Sequence, residues 1–201
     1  MIEQFFRKSI QIISIDPLLN RRWFQKINPT TVTIFGFIFG LCAFWSVIVN
    51  QSILALCFLL LSGYCDMLDG SLARKTKRVS KIGAMLDLFF DRVVEFLIIL
   101  GFYFVDPTRG LACLVMLGSV YLCVTSFFVV GMFSQNDTEK SFYYNPGLIE
   151  RAEAFIFFGL MIVFPKSFTL LSALFSSLVL LTALIRLFEF IKLTLRINSN
   201  S

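Results

Sequence analysis

Apolar runs of around 20 residues recur along nearly the whole chain and constrain its fold more than any other feature. A helix needs about 20 such residues to cross the hydrocarbon core of a membrane. Of the 201 residues, 57% are hydrophobic and 15% are charged, whereas soluble domains carry about 45–50% and about 25%. These proportions argue against a soluble globular domain, a disordered chain and a fibrous protein. The sequence therefore predicts a multi-pass helical membrane protein.

The order of apolar runs and turn residues predicts an all-α, polytopic membrane protein with six transmembrane helices. Turn signals such as Asp106-Pro107 and Asn145-Pro146-Gly147 separate the runs. The spans are expected near residues 31–49, 52–73, 81–105, 110–134, 147–164 and 167–193. A chain of this length has room for one membrane domain, so residues 1–201 are interpreted as a single domain whose six-helix bundle covers 31–193.

The first 27 residues have a different pattern. Apolar side chains recur at helical spacing, with basic ones on another face: Ile2, Phe5, Phe6, Ile10 and Ile13 against Arg7 and Lys8. This pattern predicts an N-terminal amphipathic surface helix, so that residues 1–27 form a juxtamembrane segment in the headgroup region. An amphipathic helix packed on the inner edge of the bundle would show the same pattern.

Lysine and arginine are distributed unevenly between the two sides of the predicted bundle. The N-terminal segment, the loop at 74–81 and the C-terminus are basic, whereas the opposite side carries Arg109 and Lys166. The positive-inside rule then places both termini in the cytoplasm. Because these cations flank apolar segments, the lipid bilayer is the expected partner of the net charge of +5, and nucleic acid is not.

Four aspartates interrupt segments that are otherwise rich in Leu, Phe and Met: Asp66, Asp69, Asp87 and Asp91. A charge at the centre of a membrane helix costs about 2.5–3.5 kcal/mol. The members of each pair are three or four residues apart, so each pair lies on one face of its helix. At about 1.5 Å per residue, both pairs fall in the cytoplasmic third of the membrane core. Such facing carboxylates form an oxygen cluster suited to Mg²⁺ or Mn²⁺.

Two classes of function other than an enzyme remain open at this point. An ion transporter could use the intramembrane aspartate cluster, since carboxylates also line ion paths. Against transport, the cluster lies at cytoplasmic depth alone, and the sequence shows no inverted repeat. An inactive membrane scaffold is the third class. Catalysis by histidine is excluded, because the chain contains no His.

Residues 66–91 read DMLDGSLARKTKRVSKIGAMLDLFFD. This segment resembles the signature of the CDP-alcohol phosphatidyltransferase family, D-x2-D-G-x2-A-R-x8-G-x3-D-x3-D, at every fixed position and every spacing. The resemblance implies a metal-dependent, phospholipid-synthesising transferase that faces the cytoplasm. Such an enzyme moves a phosphatidyl group from CDP-diacylglycerol to a polar alcohol and releases CMP. Because members are commonly dimeric, the resemblance also implies a homodimer.

The resemblance also implies roles for individual residues. Two divalent ions, Mg²⁺ or Mn²⁺, would be surrounded by the carboxylates of Asp66, Asp69, Asp87 and Asp91, and Asp91 would be the general base. The positions that accommodate the CDP-lipid are Gly70, Ala73, Arg74 and Gly83. An ordinary interfacial cation is the alternative interpretation of Arg74.

Three further cations bear on the identity of the alcohol. Arg92, Arg151 and Arg186 are expected at the depth of the aspartates, and such a cluster suits an acceptor that carries a phosphate. The segments DRVVE and GLIERAEAF are similar to the inositol-phosphate branch of the family. Inositol phosphate or glycerol 3-phosphate is therefore the expected acceptor, with serine-type acceptors open. The alternative is structural, with Arg92 paired to Glu95, Arg186 paired to Glu189, and Arg151 an ordinary interfacial residue.

Overall fold

The computed structural model describes residues 11–21, 23–134 and 151–198. Within these ranges the long helices are α1 (Pro29–Ile48), α2 (Ser52–Lys75), α3 (Lys81–Val105), α4 (Gly110–Ser134), α5 (Arg151–Val163) and α6 (Phe168–Asn198). Helices α1 to α4 begin and end within two residues of the predicted spans, and α6 runs beyond its predicted end. The prediction of an all-α fold is confirmed.

Four helical stretches of the described ranges are long and apolar enough to cross a membrane: Pro29–Ile48, Ser52–Lys75, Pro107–Phe133 and Pro165–Leu195. Helix α3 differs from them because Asp91, Arg92 and Glu95 interrupt its middle. The described part of α5 has 13 residues, and the first residues of its predicted span, 147–150, lie outside the described ranges. The chain is thus a helical membrane protein, and the count of six spans stays a prediction.

Short polar side chains determine where two of the helices begin. At the start of α1, Asn28 Oδ1 accepts a hydrogen bond of 3.1 Å from the Thr30 amide, and a proline follows at the first helical position. At the start of α3, Ser80 Oγ accepts a 3.0 Å hydrogen bond from the Gly83 amide. Lys77, at φ 55°, turns the chain between α2 and α3.

Helix α1 packs closely against both α2 and α3 because it carries glycine at the two contacts. A Cβ atom placed on Gly36 would lie 3.1 Å from Cβ of Cys65 on α2. A Cβ atom placed on Gly40 would lie 2.3 Å from Cγ2 of Val94 on α3. Small residues let membrane helices approach to this distance. Helix α1 therefore sets the positions of the two helices that carry the aspartates.

All six helices contribute to one apolar core. Its fully buried members include one residue from each helix in turn: Ala43, Leu59, Ile98, Met116, Phe158 and Phe175. Within this core, helix α4 packs along α6, and α5 contacts both α2 and α6. In lipid, where apolar burial drives association little, van der Waals packing of this kind holds the helices together.

The predicted amphipathic surface helix falls largely on residues 1–10, which lie outside the described residues. The described part of the segment forms three short helical turns: Gln11–Ile15, Asp16–Leu19 and Phe24–Lys26. Leu19 and Phe24 are buried in a second apolar cluster with Val32 of α1 and Leu72 of α2. The described part therefore packs on the bundle, and the surface helix stays a prediction.

The close approach of α1 and α3 predicts that Gly40→Ala lowers stability. The added methyl group meets the β-branched Val94, which is 1% exposed, and overpacking of this kind costs about 1–3 kcal/mol. Thermal unfolding of the purified protein in detergent micelles measures the change. Gly118→Ala on α4 is the matched control, because a Cβ there has no neighbour within 4 Å. An equal effect of the two substitutions on Tm would contradict the account of the α1–α3 contact.

Candidate functional site

Three carboxylates from two helices converge inside the bundle. Asp66 and Asp69 lie one turn apart on α2, and Asp87 lies on α3. Each offers one oxygen atom, and these three atoms all lie within 4.8 Å of one another. Asp91, one turn further along α3, lines the same small cavity. The structure thus places the four sequence-predicted aspartates around one space.

The donors in this space fit a divalent cation. Asp69 is 5% exposed, and within the described part of the chain its Oδ2 atom has no hydrogen-bond partner. A buried polar atom left in this way is costly unless a ligand satisfies it. A set made of carboxylate oxygens suits a hard ion such as Mg²⁺ or Mn²⁺. The family resemblance and the donor set therefore agree.

Arg151, at the start of the described part of α5, reaches into the carboxylate cluster. Its Nη1 atom pairs with Oδ1 of Asp66 on α2 and, at 2.5 Å, with Oδ1 of Asp91 on α3. The guanidinium carbon lies 5.1 Å from the ring centroid of Phe155. An arginine with one partner on each aspartate helix is more than an ordinary interfacial residue.

A larger, open cavity of about 220 Å³ adjoins the cluster and is lined by residues of α3, α4, α5 and α6. Its charged lining residues are Arg92, Glu95, Arg151 and Arg186. Arg92 Nη1 pairs with Glu95 Oε2 at 2.8 Å, as the structural alternative for this residue predicted. Among the described residues, however, the buried Nε atoms of Arg92 and Arg151 find no hydrogen-bond acceptor. Three guanidinium groups therefore lie in the lining of one cavity, where their positive charge favours an anion.

Arg186 is held by α4 rather than by its own helix. Its Nη1 atom donates to the Cys123 carbonyl oxygen at 3.2 Å and to Ser126 Oγ at 3.4 Å. The guanidinium carbon lies 5.3 Å from the Phe127 ring centroid. Glu189, the alternative partner suggested by the sequence, forms no ion pair with Arg186 in the part of the chain that the structure describes. The guanidinium group accordingly lies in the wall of the large cavity.

The predicted CDP-lipid residues of α2 lie together toward its end, next to the N-terminal segment. Arg74 is exposed, and its Nη2 atom donates to Ser71 Oγ at 3.3 Å. The Ser71 hydroxyl donates in turn to Gln11 Oε1 at 3.0 Å. A Cβ atom on Gly70 would lie 3.4 Å from Arg74 Nη1, and Ala73 is half-buried. Gln11 thus accepts a hydrogen bond from the serine that contacts Arg74, and the sequence pattern did not reveal this contact.

Gly83, the fourth of the predicted CDP-lipid residues, lies in the first turn of α3 rather than on α2. A Cβ atom there would lie 2.9 Å from Ser80 Oγ and 3.6 Å from Thr30 Oγ1 of α1. The small residue therefore leaves room where α1 and α3 meet.

Glu95 lines the large cavity, although the sequence pattern indicated it only as a salt-bridge partner of Arg92. It is 3% exposed and lines the large cavity one turn beyond Asp91 and Arg92. The sequence did contain a signal for this position, because Glu95 interrupts the apolar run RVVEFLIIL. A carboxylate in a membrane helix costs free energy and often marks a functional site.

Comparisons with known proteins show the family of the chain. Residues 26–188 match the family model described as CDP-alcohol phosphatidyltransferase. The chain is 30% identical over 190 residues to the inner membrane protein YnjF of Escherichia coli, a match that covers 87% of this chain and 90% of that protein. It is 40% identical over 75 residues to the archaetidylinositol phosphate synthase of Pyrococcus horikoshii, which covers 37% of this chain and 40% of the relative.

The fold is similar to that of a phosphatidylinositol phosphate synthase (PgsA1) from Mycobacterium tuberculosis. The structure of that protein with CDP-DAG bound superposes with a TM-score of 0.64 at 19% identity, covering 94% of this chain and 93% of that chain. Its complex with manganese and citrate gives a TM-score of 0.67 at 18% identity, covering 92% of this chain and 87% of that one. At these identities the likeness concerns the fold.

The carboxylate cluster predicts that Asp69→Asn weakens Mn²⁺ binding at least about tenfold, because it removes the charge of a buried ligand. Electron paramagnetic resonance of free Mn²⁺ in titrations of the detergent-purified protein measures the affinity. Asp106→Asn is the matched control, since Asp106 lies in the connection after α3 and accepts hydrogen bonds from Thr108. Undiminished Mn²⁺ binding by Asp69→Asn would contradict the assignment of this carboxylate as a ligand.

Proposed function

The chain belongs to the CDP-alcohol phosphatidyltransferase family, and we propose that it transfers the phosphatidyl group of CDP-diacylglycerol to a phosphorylated polar alcohol. The acceptor hydroxyl oxygen forms a bond to the phosphorus that carries the diacylglycerol. The bond between that phosphorus and the oxygen of CMP breaks, and CMP leaves with the electron pair. The products are a phospholipid and CMP.

The carboxylates bind metal in this proposal, and one of them also accepts a proton. Asp66, Asp69, Asp87 and Asp91 would hold two divalent ions, Mg²⁺ or Mn²⁺, which when bound stabilise the charge that develops on the leaving phosphate. The convergence of three carboxylate oxygens within 4.8 Å supports this assignment. Asp91 would accept the proton of the attacking hydroxyl, as the family resemblance implies; it lines the small cavity and pairs with Arg151, which also lines the large one.

The CDP headgroup would lie over the ends of α2 and α3 that face the 74–81 connection. The residues proposed to contact it are Gly70, Ala73, Arg74 and Gly83. Arg74 is exposed and suited to a bidentate contact with a phosphate, while its hydrogen bond to Ser71 supports it from one side. The acyl chains would remain in the bilayer.

The observation that carries the choice of acceptor is the cavity lined by Arg92, Arg151 and Arg186. Its volume of about 220 Å³ admits a small molecule. Most of its lining is apolar, so the three arginines are what favours an acceptor with a phosphate, since arginine is the residue that best recognises phosphate. Inositol phosphate is the acceptor we favour, with glycerol 3-phosphate second. The name of the Pyrococcus horikoshii relative, an archaetidylinositol phosphate synthase, supports this order, whereas an Arabidopsis thaliana relative is named for transfer to inositol, which the assay below includes.

The membrane arrangement we propose is a single domain over residues 1–201 with six spans and both termini in the cytoplasm. The concentration of Lys and Arg in the N-terminal segment and the 74–81 connection supports this orientation. The aspartate cluster lies near that connection, so the active site would face the cytoplasm. A homodimer stays a prediction from the family resemblance.

The function is tested by CMP release from CDP-diacylglycerol in the presence of Mg²⁺ or Mn²⁺. Inositol phosphate, glycerol 3-phosphate, serine and inositol are supplied separately, and the lipid product is identified by mass. We expect CMP release with a phosphorylated acceptor. Metal flux into proteoliposomes without CMP release would instead favour the ion-transporter alternative.

Asp87→Asn is expected to abolish metal-dependent CMP release while the protein remains folded in detergent, because the substitution removes a carboxylate from the proposed metal site. Size-exclusion chromatography checks the fold, and Asp106→Asn again serves as the control. Normal turnover by Asp87→Asn would overturn the assignment of the metal site.

Arg186→Gln is expected to raise the acceptor KM at least about tenfold, a loss of about 1.4 kcal/mol, with little change in the KM for CDP-diacylglycerol. The reason is that Arg186 lines the acceptor cavity, which is separate from the proposed CDP site. Lys192→Gln, an exposed position on the same helix, is the matched control. Equal changes in the two KM values for Arg186→Gln would assign this arginine a structural role.

A further inference from the structure

Arg151 lies at the junction of the two cavities. It lines the small cavity together with the four aspartates, and it also lines the large cavity that contains Arg92 and Arg186. Among the residues that line these two spaces, Arg151 is the one they share. Its side chain is 16% exposed, so its charge is directed into the protein rather than toward solvent.

Two nitrogen atoms of the Arg151 guanidinium group differ in their surroundings. Nη1 pairs with Asp66 and Asp91, which are predicted metal ligands. The Nε atom is buried, and within the described residues it has no hydrogen-bond acceptor. Arg151 therefore pairs with the carboxylates through Nη1, while its Nε–H group donates to none of the described residues.

A divalent cation and the Arg151 guanidinium require the same carboxylate oxygens. The small cavity between the aspartates, which Arg151 also lines, has a volume of about 10 Å³. This is close to the volume that one water molecule needs. Cations that bind to Asp66 and Asp91 would also repel the guanidinium at short range. The metal and the arginine thus compete for these two carboxylates.

We propose that Arg151 is an exchangeable counter-charge that couples metal binding to acceptor binding, an inference that rests on the proposed function. Before the metal binds, Arg151 neutralises Asp66 and Asp91. When divalent cations take those oxygens, the guanidinium is released to the phosphate in the neighbouring arginine-lined cavity. Because binding linkage is reciprocal, a phosphate in that cavity strengthens metal binding by the same factor by which the metal strengthens phosphate binding.

The test measures Mn²⁺ binding to the full chain in detergent by electron paramagnetic resonance, with and without inorganic phosphate. Free Mn²⁺ is calibrated in protein-free buffer that contains the same phosphate. Without phosphate, Arg151→Gln should bind Mn²⁺ about tenfold more tightly than the wild type, a coupling of ordinary size. Phosphate should tighten Mn²⁺ binding by the wild type, and this effect should be smaller in Arg151→Gln.

Lys192→Gln is the matched control, because it also removes one positive charge but lies at an exposed position of α6 that lines neither cavity. It should leave Mn²⁺ affinity without phosphate unchanged. Equal or weaker Mn²⁺ binding by Arg151→Gln would overturn the proposal, as would the same tightening in Lys192→Gln. If Arg151→Gln does not fold, the wild-type titration decides, since phosphate without effect on Mn²⁺ affinity contradicts the coupling.

The same measurements separate this inference from the proposed function. Wild-type protein that binds Mn²⁺ and releases CMP, while Arg151→Gln shows no tightening, overturns the counter-charge role alone. Wild-type protein that neither binds Mn²⁺ nor releases CMP overturns both.

Discussion

Several carboxylates held inside an apolar helix bundle require compensating charge, and much of the structure around the site follows from this requirement. Asp66 and Asp91 share Arg151, and the buried Glu95 is paired with Arg92. Removing one member of such a buried pair leaves an uncompensated charge and is strongly destabilising. The ion pairs of Arg151 with the carboxylates of α2 and α3 therefore help to position α5, in addition to its apolar packing.

The spacing of those carboxylates depends in turn on α1, which carries no charged residue. Glycines on two of its turns let α2 and α3 pack directly on its backbone, at Gly36 and Gly40. A larger residue at either position would move one aspartate helix relative to the other. The geometry of the carboxylate cluster thus depends on close helix contacts that involve no charged group.

Helix α3 carries the residues proposed for metal binding on one face and those that line the proposed acceptor cavity on another. Asp87 and Asp91 line the small cavity, whereas Arg92 and Glu95 line the large one. Adjacent residues of a helix point about 100° apart, so Asp91 and Arg92 face different spaces although they are neighbours in the chain. The residues proposed for metal binding and those proposed for acceptor binding are thereby adjacent in the chain but directed into separate spaces.

Much of this protein could be predicted from its sequence, because hydropathy and helical periodicity are local properties. The bounds of α3, the shared face of Asp66 and Asp69, and that of Asp87 and Asp91 follow from spacing along one helix. The eight-residue signature pointed to the family, which the comparisons then established. The pair between Arg92 and Glu95 was also available, since both residues lie on one turn.

The tertiary structure alone decided which distant residues meet those helices. Arg151 pairs with Asp66 and Asp91, although the sequence left an ordinary interfacial position open. Arg186 binds α4, although Glu189 was within reach on its own helix. Gln11 contacts Ser71 because the N-terminal segment packs on α2. Contacts of this kind depend on which helix faces pack together, and that is set by the shapes of all the side chains at once rather than by any local pattern.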